Sequence, residues 1–261
     1  MITLNSHPIN ITIFPDKTSQ VWKLSPECIA SISNINTIHW KFEGEAELIH
    51  ILQLVDIISS YRHFSRIDLV CPYLPYARQH KKVSNDTTFA LETFCNIIDG
   101  RIDRLCVFDV HNLDFFESNG NSRWHFSVEN IAPEKEINNI ITAKNIDLVV
   151  FPDESAQHRY SCLIEIPSVF ASKVREQLTG EITGMEMPEI TSGRNVLVVD
   201  DIIDGGATPI SVASVIMKYK PSILIGFFSH GIFSKGTKIV YDAGYNEIYT
   251  KDGMDLSNPF N

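Results

Sequence analysis

Residues Asn195–Pro209 read NVLVVDDIIDGGATP, and the reading of this stretch decides the fold. The apolar run Val196, Leu197, Val198, Val199 ends in two adjacent carboxylates, Asp200 and Asp201. A third acid, Asp204, leads into Gly205, Gly206, Ala207 and Thr208, and Ile210, Val212, Ala213, Val215 and Ile216 then recur at helical spacing. The pattern is a buried strand, a tight glycine turn and the start of a helix. Successive main-chain N–H groups in such a turn form a concave anion site, and the helix dipole favours a phosphate there. Carboxylates repel phosphate, so their place is with sugar hydroxyls or with Mg²⁺ held through oxygen. Acids for hydroxyls beside amides for a phosphate describe a ribose 5-phosphate site. A plain strand–helix turn with a capping acid is the simpler alternative, but three acids and two glycines on one frame favour the sugar phosphate.

Working outward, apolar strand-like runs alternate with helical segments. Strands are expected at Ile9–Phe14, Val21–Leu24, Thr37–Phe42, Ile67–Cys71, Leu105–Asp109, Ile146–Phe151, Ser168–Ala171, Val196–Asp200 and Ile223–Ser229. Helices are expected at Ala46–Tyr61, Thr88–Ile98, Pro133–Lys144, Ser155–Glu165 and Pro209–Tyr219. This alternation implies an α/β protein with largely parallel sheets, whose ligands lie beyond the carboxyl ends of strands. Three further strands end in chemically useful residues: Pro72–His80 (PYLPYARQH), Asp109–Asn112 (DVHN) and Pro152–Ser155 (PDES). A division near residues 128–134 is expected, giving domains at 1–130 and 131–261 with a repeated strand–helix plan. The polar segment Phe14–Gln20 reads as a hairpin turn, with a substrate loop as the other possibility.

Composition excludes several classes. With 261 residues the chain can bury a sizeable core. Its formal net charge of −10 and the lack of a basic run beyond Lys81-Lys82 argue against a nucleic-acid-binding face. An acidic protein that handles phosphates must supply local positive charge or metal, which implies Mg²⁺. The five cysteines show no metal or redox spacing and read as reduced, mostly buried thiols. No apolar run approaches the ~20 residues of a membrane span, and MITLNSHPINITIF does not read as a signal peptide. A cytoplasmic protein is expected.

Taken in order, PYLPYARQ, VFDVHN, FPDESAQHR, SKVR, VVDDIIDGG and SHGIF resemble the PRPP synthetases (ribose-phosphate pyrophosphokinases), from about Leu48 to about Tyr249. The glycine loop alone is similar to that of type I phosphoribosyltransferases. The resemblance implies two phosphoribosyltransferase-like (type I) domains, each a mostly parallel sheet flanked by helices. It implies transfer of the β,γ-diphosphate of MgATP to the 1-hydroxyl of ribose 5-phosphate, giving PRPP and AMP. Arg78 and Gln79 would contact ATP, together with Phe42 and Glu45 of a loosely matching segment. His111 and Asp153 would hold Mg²⁺. Lys173 and Arg175 would belong to a mobile catalytic loop, followed by the polar stretch Thr179, Gly180, Thr183, Gly184. Asp200 and Asp201 would hold the ribose hydroxyls, Asp204 would lie near the anomeric carbon, and Gly205, Gly206, Ala207 and Thr208 would take the 5-phosphate. Arg159 and His230 also match family positions, though Arg159 reads almost equally well as an exposed helix arginine. A homo-oligomer built from dimers is implied.

The chain departs from the family in four places. Gly205 stands where the family loop carries threonine, so one hydroxyl donor to phosphate is lost. This opens an alternative acceptor, a nucleotide-capped ribose such as ADP-ribose. His80 replaces the family's aspartate after ARQ. The Phe42–Glu45 segment runs straight into a helix with no hairpin. The chain ends soon after Tyr249, which puts nucleotide regulation and ring assembly in doubt. A catalytically silent, synthetase-like regulatory subunit is a further alternative.

Overall fold

In the computed structural model the apolar runs become two mostly parallel sheets in two compact units, Met1–Ala132 and Pro133–Asn261. The structure describes residues 1–82, 84–117, 123–175 and 182–251, without the side chains of 173–175, 182 and 183.

The first unit runs β1 (Ile2–Leu4), β2 (His7–Pro8), β3 (Thr12–Ile13), β4 (Ser19–Gln20), α1 (Pro26–Ser31), β5 (Ile35–Trp40), α2 (Ala46–Tyr61), β6 (Arg66–Val70), α3 (Ala90–Ile98), β7 (Arg104–Phe108), α4 (Asp114–Glu117) and β8 (Ser127–Ile131). Its six-stranded sheet has the order β2-β1-β5-β6-β7-β8. Strands β5 to β8 are parallel neighbours, while β1 and β2 form an antiparallel edge. Helix α2 buries Ile51, Leu54, Val55 and Ile58. Asp68, only 2% exposed, sits opposite Arg104 across the β6–β7 ladder and accepts hydrogen bonds from Arg66 Nε at 2.7 Å and Arg104 Nη2 at 2.6 Å.

The second unit runs α5 (Glu134–Ala143), β9 (Leu148–Phe151), α6 (Glu154–Tyr160), β10 (Ser168–Phe170), β11 (Ser172–Arg175), β12 (Ile182–Glu186), β13 (Asn195–Ile203), α7 (Ala207–Ile216), β14 (Ile223–Gly231), α8 (Lys238–Tyr241) and β15 (Glu247–Thr250). Its five-stranded sheet, β10-β9-β13-β14-β15, is parallel throughout. Along β13 successive residues enter opposite clusters. Val196 and Val198 pack with Val212, Ile216 and Phe228, and Leu197 and Val199 pack with Ile137, Phe151 and Tyr160. A strand buried on both faces reads as a continuous apolar run rather than an alternating one.

Several local expectations need correction. Val21–Leu24 is not a strand, because the Val21 amide donates to Gln53 Oε1 of α2 rather than to a ladder. Ile9–Phe14 shrinks to Thr12–Ile13, which pairs with Ser19–Gln20. The intervening segment is a hairpin turn closed by the Phe14 amide on the Thr18 carbonyl and by Asp16 accepting from Thr18. The Ser155–Glu165 helix ends at Tyr160 and passes into a 3-10 turn. Four described cysteines are buried, Cys162 is exposed, and all five are free thiols. No helix among the described residues is long and apolar enough to cross a membrane.

Candidate active site

In the second unit the chain leaves β9 for β10 on one side and returns to β13 on the other, so strand order reverses between β9 and β13. Such a switch point opens a crevice beyond the carboxyl ends of the strands, where open α/β sheets bind ligands. Asp153 follows β9, Asp200 and Asp201 lie near the end of β13, and Asp204 follows it. The topology therefore brings four predicted acids to one end of one sheet.

Their surroundings differ. Asp153 caps α6, its Oδ1 accepting the Ala156 amide at 3.0 Å. Asp201 is buried and pairs with Arg159, Nη1 to Oδ2, at 3.1 Å. That guanidinium also lies over the Tyr160 ring, 5.6 Å from its centroid. Arg159 is thus held against Asp201 and Tyr160 rather than standing as a solvated helix cation. Burial pushes the Asp200 carboxyl well above the ordinary range, and the neighbouring charges of Asp201 and Asp153 push it further. Like charges held together out of water raise one another's pKa. A ligand that donates hydroxyls or brings a cation relieves that repulsion.

The glycine turn has the geometry of an anion cradle. Gly206 adopts φ 77°, ψ 0° and immediately precedes α7, whose first bond runs from the Ile210 amide to the Gly206 carbonyl at 3.0 Å. Helices α1 and α6 are capped by Ser25 and Asp153, but no side chain caps α7. An uncapped N-terminus presents its first amides to a ligand. Buried Tyr245 secures this turn by donating its hydroxyl to the Pro209 carbonyl at 3.0 Å, and burial and Asp200 both push its phenol pKa up.

Sequence reasoning missed Ser234 and Lys235. A Cβ built on Gly205 would stand 3.7 Å from Lys235 Cε and 3.9 Å from Ser234 Oγ. The exposed Lys235 forms no ion pair among the described residues, and its side chain stands beside the cradle. Only the fold joins two segments thirty residues apart, and the sole sequence signal is a lysine closely following a strand end. Lys173 and Arg175 lie on β11, which pairs with β12 as an antiparallel hairpin irregular between Val174 and Arg175. Their side chains lie outside the described residues, as do Thr179 and Gly180.

The first unit gathers Arg78, Gln79, His111, Phe42 and Glu45 at the carboxyl ends of β5, β6 and β7. Tyr76 (φ 65°) and Asp109 (φ 46°), each two residues from a predicted contact residue, hold left-handed backbone that side chains rarely adopt. Such strain persists only where surrounding structure over-determines it. The Tyr76 hydroxyl bonds Glu45 at 3.1 Å, and its ring lies 5.9 Å from Phe94, which stacks on Trp40 beside Phe42. Glu45 is thereby tied to the loop bearing the exposed Arg78 and Gln79. The His80 and His111 ring centroids are 5.3 Å apart, and His80 Nδ1 lies 3.2 Å from the Ala77 carbonyl. Burial lowers the His80 pKa; the Ala77 bond opposes this, and His111 and Lys81 add to it. Among the described residues no group of three or more His, Cys, Asp and Glu side chains is poised to hold a metal unaided.

No family model matches the chain. Curated relatives do. It is 28% identical to the ribose-phosphate pyrophosphokinase of Pyrococcus abyssi over 256 residues, covering 95% of this chain and 85% of that protein. It is 25% identical to the protein of the same name from Mycoplasmopsis pulmonis, covering 97% of this chain and 79% of that protein. Over most of its length the chain is thus similar to ribose-phosphate pyrophosphokinases. The solved phosphoribosylpyrophosphate synthetase of Mycobacterium smegmatis shares its fold, with a TM-score of 0.61 and 20% identity over 77% of this chain and 66% of that one.

Proposed function

We propose that this protein is an ATP-dependent pyrophosphokinase that transfers the β,γ-diphosphate of ATP to the 1-hydroxyl of ribose 5-phosphate, releasing AMP. The observation that carries the reading is the uncapped start of α7 beside Asp200, Asp201 and Asp204 at the sheet's switch point. The amides of Ala207 and Thr208 would take the 5-phosphate. Asp200 and Asp201 would accept hydrogen bonds from the ribose hydroxyls, with Arg159 fixing the Asp201 carboxylate.

Arg78 and Gln79, with Phe42 and Glu45, would bind and orient the nucleotide. Lys173 and Arg175 would neutralise charge that develops on the transferred diphosphate and on the departing AMP. Phosphoryl transfer needs positioning and charge stabilisation more than covalent help. The carboxylates of Asp153 and Asp204 suit Mg²⁺, a hard ion that keeps several waters and is usually completed by substrate phosphates. When bound, that ion neutralises phosphate oxygens.

Lys235 and Ser234 favour ribose 5-phosphate over a capped ribose. A cation and a hydroxyl beside Gly205 suit a dianionic monoester. The test is AMP release from ATP with ribose 5-phosphate, ADP-ribose or no acceptor. AMP formed with ribose 5-phosphate alone supports the proposal. Turnover of ADP-ribose alone would move the acceptor to the capped sugar, and no turnover with either would favour a regulatory subunit.

A further inference from the structure

We propose that Tyr76 is a positioning residue: it fixes the turn from Tyr76 to Gln79 so that Arg78 faces the nucleotide phosphates, and does not itself touch the nucleotide. The inference rests on the nucleotide half of the reading above and deepens it; its geometry lies within the first unit alone.

Three observations carry it. First, Tyr76 holds left-handed backbone, with φ 65°. Glycine takes that conformation at no steric cost, whereas a side chain is strained there. A tyrosine at such a position is one its surroundings hold in place. Second, those surroundings grip both parts of the side chain. The ring lies 5.9 Å from that of Phe94 on α3, which is buried and stacked on buried Trp40. The hydroxyl donates at 3.1 Å to Oε1 of Glu45, the residue that immediately precedes α2. Third, the backbone turns that grip into a direction for the residues that follow. The Gln79 amide donates to the Tyr76 carbonyl at 2.8 Å and closes the turn. Ala77 is buried, and its carbonyl accepts from His80 Nδ1 at 3.2 Å. The Gln79 carbonyl accepts the Leu91 amide at 3.3 Å, which ties the far end of the turn to α3. Arg78, between these anchored residues, is exposed.

The use of such a turn follows from the chemistry of its arginine. A guanidinium bonds phosphate oxygens as a planar fork, so its direction matters as well as its charge. Ordering a loop at the moment of binding costs affinity, and a loop already ordered avoids that cost. Phe94 and Glu45 offset the strain at Tyr76 in the folded chain, so the turn is set before the nucleotide arrives. Glu45 on this account serves the nucleotide through Tyr76.

The test is calorimetric binding of α,β-methylene-ATP, whose α,β linkage cannot be cleaved, to the full chain in the presence of Mg²⁺. Tyr76→Phe keeps the ring and loses only the Glu45 bond, and it should weaken binding about threefold. Tyr76→Gly relaxes the backbone but removes both grips, and it should weaken binding at least about tenfold. Ribose 5-phosphate should bind both variants as it binds the wild type. The decisive arm is a double-mutant cycle with Arg78→Ala. A group that acts through Arg78 has no effect once that side chain is gone, whereas a group that touches the nucleotide keeps its effect. Neither Tyr76 variant should therefore weaken binding further in the Arg78→Ala chain. If Tyr76→Gly unfolds, the isosteric Tyr76→Phe carries the cycle alone. Equal losses in both backgrounds, unchanged binding in the Tyr76 variants, or an equal loss of ribose 5-phosphate binding would overturn the inference, as would a wild-type chain that does not bind the analogue. The readout needs no turnover: AMP release with an additive cycle sinks this inference alone, and a coupled cycle without AMP release sinks the proposed function alone.

Discussion

Two adjacent glycines of the cradle should respond in opposite ways to one methyl group. Gly206 has φ 77°, and a Cβ there would stand 3.0 Å from Ile239 Cδ1 and 3.4 Å from Ile210 Cδ1. Left-handed backbone costs a residue with a side chain about 1–2 kcal/mol, and pushing two flexible isoleucine ends off their rotamers adds about 1 kcal/mol. The reduced freedom of the unfolded chain offsets about 0.5–1 kcal/mol. Gly206→Ala should therefore destabilise the second unit by about 2 kcal/mol, a fall of roughly 5–10 °C in its melting transition. Gly205 lies outside the left-handed region, and its Cβ would make ordinary contact with Lys235 at 3.7 and 3.8 Å. Gly205→Ala should be neutral or slightly stabilising. Thermal unfolding measures both, and calorimetric titration with ribose 5-phosphate shows whether only Gly206→Ala disables the cradle. Equal melting curves for the two variants, or a greater loss at Gly205, would refute the reasoning.

Three further outcomes are expected. Asp200→Asn should raise stability while abolishing turnover. The raised Asp200 pKa contributes stability that is fully present below the ordinary carboxylate pKa and lost as pH rises through the folded value, so wild type and variant should diverge with rising pH in melting experiments. Asp68→Ala should destabilise the first unit by about 2 kcal/mol, less than a fully buried pair because both arginines are partly open to water. Burial opposes ionisation of Asp68, but bonds from Arg66 and Arg104 hold its pKa below the usual range. That contribution is present above the ordinary carboxylate pKa and lost as pH falls through the depressed one, so the gap should close in acid denaturation. Lys173→Ala should lower turnover on the order of 10²–10³-fold with sugar affinity nearly intact, measured by AMP release and by ribose 5-phosphate binding.

The central frame was legible because β13 is buried on both faces and its glycine turn feeds directly into α7. Elements that depend on distant partners were not. Strand β8 is an edge strand whose Glu129 and Asn130 interrupt the apolar pattern, so its pairing with β7 left little trace in composition. Val21 is buried, yet its amide is satisfied by a side chain of α2. Helix α1 has a start signal, Ser25 as cap followed by Pro26, but six residues are too few to show an apolar period. In the site, residue types were readable where a strand ends, as at Asp153 and Asp200. Arg159 meets Asp201 only when α6 is laid against β13, and Lys235 comes beside Gly205 only when the segment after β14 meets that turn.

The central claim is that the acids and amides of the second unit hold a phosphorylated pentose as acceptor for a diphosphate. Phosphorus NMR of the chain with MgATP and ribose 5-phosphate tests it most directly. The account predicts AMP and a diphosphate ester at the sugar's anomeric position in equal amounts, with neither formed by Asp200→Asn. Formation of ADP, or AMP accompanied by free pyrophosphate and unchanged sugar, would contradict it.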